Sequence, residues 1–458
     1  MWDESRLAIN AVEMLQDGFS IVPTFEGKPD MWNTKPPLMI WLQVLSMKIF
    51  GVNELAIRFP SAIAGFLTCL VLLLFSKIIS GRYRMGFIAS VILVSSAGFT
   101  RFHVTRTGDY DALLILFTTI YTLSFFSWVE KGFDQRFWWS FCVALILSVF
   151  VKSISGLLFF PALLVWVLYL KMGLRIAKLR YVWIGIILII FSISLYYLFR
   201  EQINPGYLKA VWTNELGTRY LEAIEGNGHG FWFYWEYIIE NRSFHPWWIF
   251  LTIGIIAYRY YGQENIKRWM AFCLLLSFEL FLVISIGKTK LDWYFAPIMP
   301  LIALVASFSL LALTDILRKT DVFSAGFNKN WLPMAFVLLI LAPPYFNTIK
   351  QVYDPVYYDW EKGYYSMSAY FRHALKNEED LNGYTAVVEG YVPHIKFYEY
   401  VMLEKGQKVK FVNKQELEPG DKAIADQLEV KTYIESNYNY QIKDQYGTTN
   451  TYYITGKR

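Results

Sequence analysis

Apolar residues in this chain of 458 come in long blocks instead of strict alternation, and ten blocks approach the length of a bilayer crossing. They cover residues 61–76, 85–100, 112–129, 137–151, 153–170, 181–199, 246–258, 269–287, 293–313 and 331–348. A hydrocarbon core asks for a helix of roughly 20 apolar residues. Flanking Lys, Arg, Trp and Tyr extend the shorter blocks by snorkelling or by sitting at the interface. The pattern predicts a mainly α, polytopic membrane protein, with a helical bundle over residues 61–350 and a long polar and aromatic loop at 200–245. Residues 1–60 carry two helical periodicities instead: Leu7, Ala8, Ala11, Val12 and Leu15, then Leu38, Trp41, Leu42, Leu45 and Ile49. These predict amphipathic helices lying along the membrane surface.

After residue 350 the pattern changes again. Runs at 384–389, 408–412 and 452–455 read as strands, and 365–375 and 393–403 as helices. Asn382-Gly383 and Pro419-Gly420 mark turns between them. Residues 351–458 are therefore expected to form a small α/β domain outside the bilayer. They contain no glycine-rich phosphate loop.

Charge orients the bundle. Short loops after the odd-numbered blocks hold fifteen Lys and Arg, including Lys171, Arg175, Lys178 and Arg180, while the alternate, longer loops hold nine. The positive-inside rule puts the first set in the cytoplasm. An even number of crossings then places residues 1–60 and the C-terminal region together on the far side. The net charge of +5 is explained by these loops, and no nucleic-acid motif accompanies it. Cys69, Cys142 and Cys273 all fall in apolar blocks, which disfavours disulfides and thiolate metal sites.

Within residues 1–60 the charged and proline positions run Asp3-Glu4-Ser5-Arg6, Lys35-Pro36-Pro37-Leu38 with Trp41, and Arg58-Phe59-Pro60. This order resembles the first extracytoplasmic loop of the protein mannosyltransferase and lipid A aminoarabinose transferase superfamily. Those are GT-C membrane glycosyltransferases that draw sugars from polyprenyl-phosphate donors. The resemblance implies a GT-C bundle, extracytoplasmic chemistry at a bacterial inner membrane, and a lipid or protein acceptor. It also implies Asp3 as the catalytic carboxylate, with Glu4 beside it, and Lys35 near the donor phosphate. Family members carry a membrane helix just before this motif. Either the natural start lies upstream, or later helices carry the amino-terminal arm across.

Breaking a bond between an anomeric carbon and a phosphate oxygen requires cations for the departing phosphate and a carboxylate to take the acceptor's proton. Asp109 and Asp111 open the third block, and Asp111 fits the family's second acidic position better; either could instead cap a helix. Lys152 stands near the family's T-K-G-P segment, and a snorkelling lysine is the plainer alternative. Arg58 and Arg219 are further candidates for substrate contact. Lys290 and Tyr294 fall in a segment like the family's S-x-x-K-L-P-x-Y, with Asp292 where proline is usual.

His229 matches a family histidine that can share a divalent metal with a glutamate just before K-P-P. Here that position is Thr34, so the pair is broken unless Asp30 substitutes. His245 reads as an ordinary loop histidine, and Glu279, inside the eighth block, as a bundle-internal hydrogen-bonding group. A transporter or flippase of a lipid-linked sugar is the rival reading. It would usually show repeated halves and polar breaks in mid-membrane, and no internal repeat is visible here.

Overall fold

The computed structural model describes residues 2–217, 226–240, 246–258, 263–319, 332–354 and 363–458. The chain opens with α1, Trp2–Asp17, followed by a two-residue hairpin of β1, Thr24–Phe25, and β2, Lys28–Pro29. Next come α2, Leu38–Phe50, and α3, Glu54–Ser80. Asn53 starts α3 by accepting the Ala56 amide at 2.9 Å, which satisfies a donor that the helix itself leaves open. At ~1.5 Å per residue this helix runs about 40 Å, enough to cross a bilayer.

All ten apolar blocks contain helix. Among the described residues seven helical stretches are long and apolar enough to span: Glu54–Ser80, Asp111–Glu130, Gln135–Leu157, Arg180–Ile203, Glu264–Ile286, Ala296–Asp315 and Ala335–Tyr353. The other three blocks give shorter helices: α4 (Arg84–Val94), Phe160–Tyr169 and Trp248–Tyr258. The helix α5, Asp111–Glu130, sits centrally, buried along nearly its whole length between α3 and α6, Gln135–Lys152. By contrast, Arg180–Ile203 turns Ile187, Ile190, Phe191, Leu195 and Leu198 outward. An outward apolar helix of this length and hydropathy suits a lipid-facing surface.

The C-terminal region is a five-stranded sheet in the order β4-β3-β5-β7-β6. Its strands are β3 (Tyr384–Val387), β4 (Lys410–Val412), β5 (Lys422–Ala425), β6 (Tyr438–Tyr446) and β7 (Thr449–Lys457). β3 runs parallel to β4 and β5, and β7 pairs antiparallel with β5 and β6. The expected strands and both expected helices (Ser366–Lys376 and Pro393–Glu404) are present; β5, β6 and the helix Leu428–Asn437 are additions.

The helices of residues 1–60 also pack against the C-terminal domain. Ala8, Ala11, Val12 and Met14 of α1 and Ile40, Val44 and Met47 of α2 share one core with Phe371, Ile395, Tyr398 and Met402 of the C-terminal domain. The Glu404 carboxylate accepts the Val52 amide at 2.6 Å, and the Arg6 guanidinium donates to the Tyr391 hydroxyl at 3.1 Å. α1 is thus clamped between α2 and the domain. α2 alone keeps an exposed apolar edge, at Leu45, Ile49 and Phe50.

Candidate functional site

Two neighbouring acids at the start of α1 meet opposite environments, because successive helical side chains diverge by about 100°. Glu4 turns inward and is 1% exposed, while the Asp3 side chain is 56% exposed. Glu4 accepts both Arg58 donors, at 2.6 and 2.8 Å, and the Gly108 amide at 2.8 Å. Gly108 must be glycine, since a Cβ there would lie 2.3 Å from the Ile57 carbonyl oxygen. Glu4 is therefore an internal tie between α1, α3 and the 95–110 loop. The expectation that it is a catalytic group is corrected by its burial and saturation. Arg58 spends its fork on Glu4, which leaves less of it for a phosphate.

Beyond Asp3 stands His103, a residue that no motif in the sequence marks. Its Nδ1 lies 3.7 Å from the Asp3 carboxylate and 3.4 Å from that of Asp109. Thr107 donates to Asp109 at 2.7 Å and accepts the His103 amide at 2.8 Å. The imidazole stacks on Trp293 with ring centres 3.7 Å apart. Burial disfavours the charged ring, yet the charges of Asp109, Asp3 and Asp111 outweigh it and raise the His103 pKa. Asp109 is shifted the other way: burial favours its neutral form, but His103, the Thr107 hydroxyl and Lys152 hold its pKa below the ordinary value.

Asp111, two residues further and at the start of α5, faces a different partner. The Lys152 ammonium donates to both of its carboxylate oxygens at 2.7 Å, and both side chains are buried. The two residues line a cavity of about 660 Å³, open mouth included, with Ser155, Glu215, Thr289 and Tyr294. Leu114, Leu158, Ile284 and Pro297 give it an apolar wall. Lys152 also lies over the Tyr294 ring, 5.7 Å from its centre. The structure thus brings Asp111, Lys152 and Tyr294 together and puts Asp109 with His103.

Lys35 reaches the same region through Glu215, a residue that no motif singles out. The Lys35 ammonium is 3.2 Å from the Glu215 carboxylate, and Thr34 donates to the same oxygen at 3.2 Å. Tyr207 ties this segment down by donating to the Thr34 carbonyl at 2.7 Å. The carboxylate that position 34 lacks is therefore supplied in space from residue 215.

Other candidates fall elsewhere. Lys290 donates to the carbonyls of Gly287 and His229, at 2.6 and 3.0 Å, and so staples two loops together. Burial, then Lys288, pulls its pKa down. The His229 ring is exposed and stacks on Phe233 at 4.2 Å. Asp292 pairs with Arg101 and accepts from the Tyr237 hydroxyl at 2.7 Å, which accounts for a carboxylate where the family pattern has proline. Arg219 and His245 lie outside the described residues. Among the described residues Glu279 has no hydrogen-bond partner for either carboxylate oxygen, where a bundle-internal bond was expected.

Asp30, the residue that could have replaced the missing glutamate, is already engaged. Asp30 is held by Arg6 at 2.7 and 2.9 Å and by Asn10 at 3.1 Å, and Glu215 by Lys35. Among the described residues no three His, Cys, Asp or Glu side chains gather as a metal site would need.

Residues 34–197 match the dolichyl-phosphate-mannose-protein mannosyltransferase family. An uncharacterized protein of Aquifex aeolicus is 25% identical over 309 residues, covering 67% of this chain and 58% of that one. The undecaprenyl phosphate-alpha-4-amino-4-deoxy-L-arabinose arabinosyl transferase 2 of Proteus mirabilis is 26% identical over 387 residues, covering 79% and 64%. The chain spans about three-fifths of the length of these relatives. The crystal structure of ArnT from Cupriavidus metallidurans bound to undecaprenyl phosphate aligns over 98% of this chain and 93% of that one. Its TM-score is 0.66 at 14% identity. The superfamily that the opening loop resembles is the one these comparisons return, and the chain is an integral membrane protein of GT-C fold.

Proposed function

We propose that this GT-C protein of the mannosyltransferase and aminoarabinose transferase superfamily is a membrane glycosyltransferase. It moves a sugar from a polyprenyl-phosphate donor to a lipid acceptor on the extracytoplasmic face of a bacterial inner membrane. The observation that carries this reading is the division of charge at one end of the bundle. Asp3 offers an open carboxylate, while Lys152 and Lys35 sit in or beside a half-apolar cavity at the start of α5. A donor with a lipid tail cannot leave the bilayer, so a charged site against an apolar bundle suits it.

In this reading the acceptor hydroxyl gives its proton to Asp3 as its oxygen attacks the anomeric carbon. The bond from that carbon to the phosphate oxygen breaks, and polyprenyl phosphate departs with the electron pair. Lys152 and Lys35 face the charge that grows on the leaving oxygen, where fixed cations act most strongly. The cavity's apolar wall excludes water, which would otherwise compete with the acceptor. The test is transfer by the purified protein from an undecaprenyl-phosphate sugar to lipid A, followed by mass spectrometry. Transfer from a nucleotide sugar alone would refute the reading.

A further inference from the structure

We propose that His103, as an imidazolium, is the positioning residue that aims the Asp3 carboxylate at the acceptor. This rests on the glycosyltransferase reading only for its kinetic arm. The geometry is independent of it. One ring nitrogen faces carboxylates from two separate elements: Asp3 at the start of α1, at 3.7 Å, and Asp109 in the 95–110 loop, at 3.4 Å. That nitrogen carries at most a single N–H in either protonation state, so it is the ring's positive charge that attracts both carboxylates at once.

The ring has little freedom to do anything else. Trp293 stacks on it nearly parallel, at 14°. Its backbone sits at φ +64°, a region that side-chain-bearing residues seldom occupy. The Thr107 hydroxyl holds that conformation by accepting the His103 amide and binding Asp109 with its own proton. A strained backbone kept in place this way at a candidate active site points to a geometric requirement.

The groups facing His103 favour its charge. Asp3, Asp109 and Asp111 are anionic neighbours on three elements, and Trp293 presents a ring face that attracts a cation. Lys152, the nearby cation, is already bound to Asp111. His103 protonation therefore persists above the ordinary histidine range. Asp3 is the exposed carboxylate of the three, open to an acceptor that approaches from outside the bundle.

Two measurements test this on the full chain in lipid nanodiscs. In the first, the protein is labelled with ¹⁵N-histidine. The chain has five histidines, and His103→Gln assigns the signal. The His103 ring is expected to titrate above its ordinary pKa of ~6.5, and Asp3→Asn and Asp109→Asn should each lower that midpoint. A midpoint at or below the ordinary value, or one that both variants leave unmoved, overturns the proposal whether or not any sugar is transferred.

The second measurement is the pH profile of transfer from an undecaprenyl-phosphate sugar to lipid A. Wild type should lose kcat on the alkaline side as His103 deprotonates. His103→Gln should be about 10- to 100-fold slower, less than the ~10²–10⁴-fold of a group that takes the proton itself, with the alkaline limb gone. His103→Lys should restore part of the rate, because it restores the cation. An unaltered rate and profile in His103→Gln, or a lysine variant no better than glutamine, overturns the proposal.

Discussion

Glu4 holds Arg58 through two hydrogen bonds, at 2.6 and 2.8 Å, while its neighbour Asp3 faces outward toward His103. Adjacent acids in one motif therefore do different work. Removing one partner of a buried charged hydrogen bond leaves the other unsatisfied, at a cost of about 1–3 kcal/mol. Glu4→Gln should accordingly lower the thermal unfolding temperature, with activity lost in step with folded protein. Asp3→Asn should leave that temperature unchanged. Melting curves and transfer rates measured on the same preparations separate the two outcomes; equal destabilisation by both would show that Asp3 is structural as well.

The Asp111–Lys152 pair makes a second prediction. Breaking a buried pair from one side typically costs about 3–5 kcal/mol, because a charge is left uncompensated. Lys152→Met should therefore be strongly destabilised. The double variant Asp111→Asn/Lys152→Met should recover much of the loss while remaining inactive. A double variant less stable than Lys152→Met would show that the two residues do not act as a pair.

Lys35 and Glu215 give a third. Lys35→Ala removes a cation facing the departing phosphate and should lower kcat/KM for the donor by about 10²-fold. Glu215→Gln keeps the lysine and should lower it less. Steady-state kinetics with varied undecaprenyl-phosphate sugar decide the point, and a larger loss in Glu215→Gln would move the catalytic weight from the lysine to the carboxylate. Lys290 leaves this group, since its ammonium already serves two backbone carbonyls.

Topology supplies a fourth. The C-terminal domain shares a core with α1 and α2, so the two ends of the chain lie on one side of the membrane. A reporter after Arg458 should read as extracytoplasmic, and one within residues 171–180 as cytoplasmic. Reporters on the same side would contradict the distribution of Lys and Arg.

Much of the bundle was legible in the sequence because a bilayer imposes a length on apolar runs, and all ten blocks contain helix. Strand runs such as 384–389 were legible from their β-branched and aromatic residues. The burial of α1 was not. Its inward face carries Ala8, Asn10, Ala11 and Glu13, a mixture that reads as half-exposed, and its partners, such as Ile395 and Tyr398, lie nearly 400 positions away. The resemblance picked out Asp3, Asp111, Lys152 and Tyr294, yet Glu215 and His103 stayed hidden. Glu215 pairs with a lysine 180 positions earlier, and His103 sits in a loop whose φ of +64° no local pattern announces. For Glu4 and Arg58 the motif was visible and the roles were not, since only packing shows which acid turns inward.

The central claim is that Asp3 takes the acceptor's proton in sugar transfer from a polyprenyl phosphate. It is tested most directly with wild type and Asp3→Asn, both purified in nanodiscs and incubated with undecaprenyl-phosphate-linked sugar and lipid A. Wild type should add the sugar mass to lipid A and release undecaprenyl phosphate. Asp3→Asn, equally folded, should be slower by roughly 10²–10⁴-fold. Full activity in Asp3→Asn, or transfer by wild type from a nucleotide sugar alone, would contradict the account.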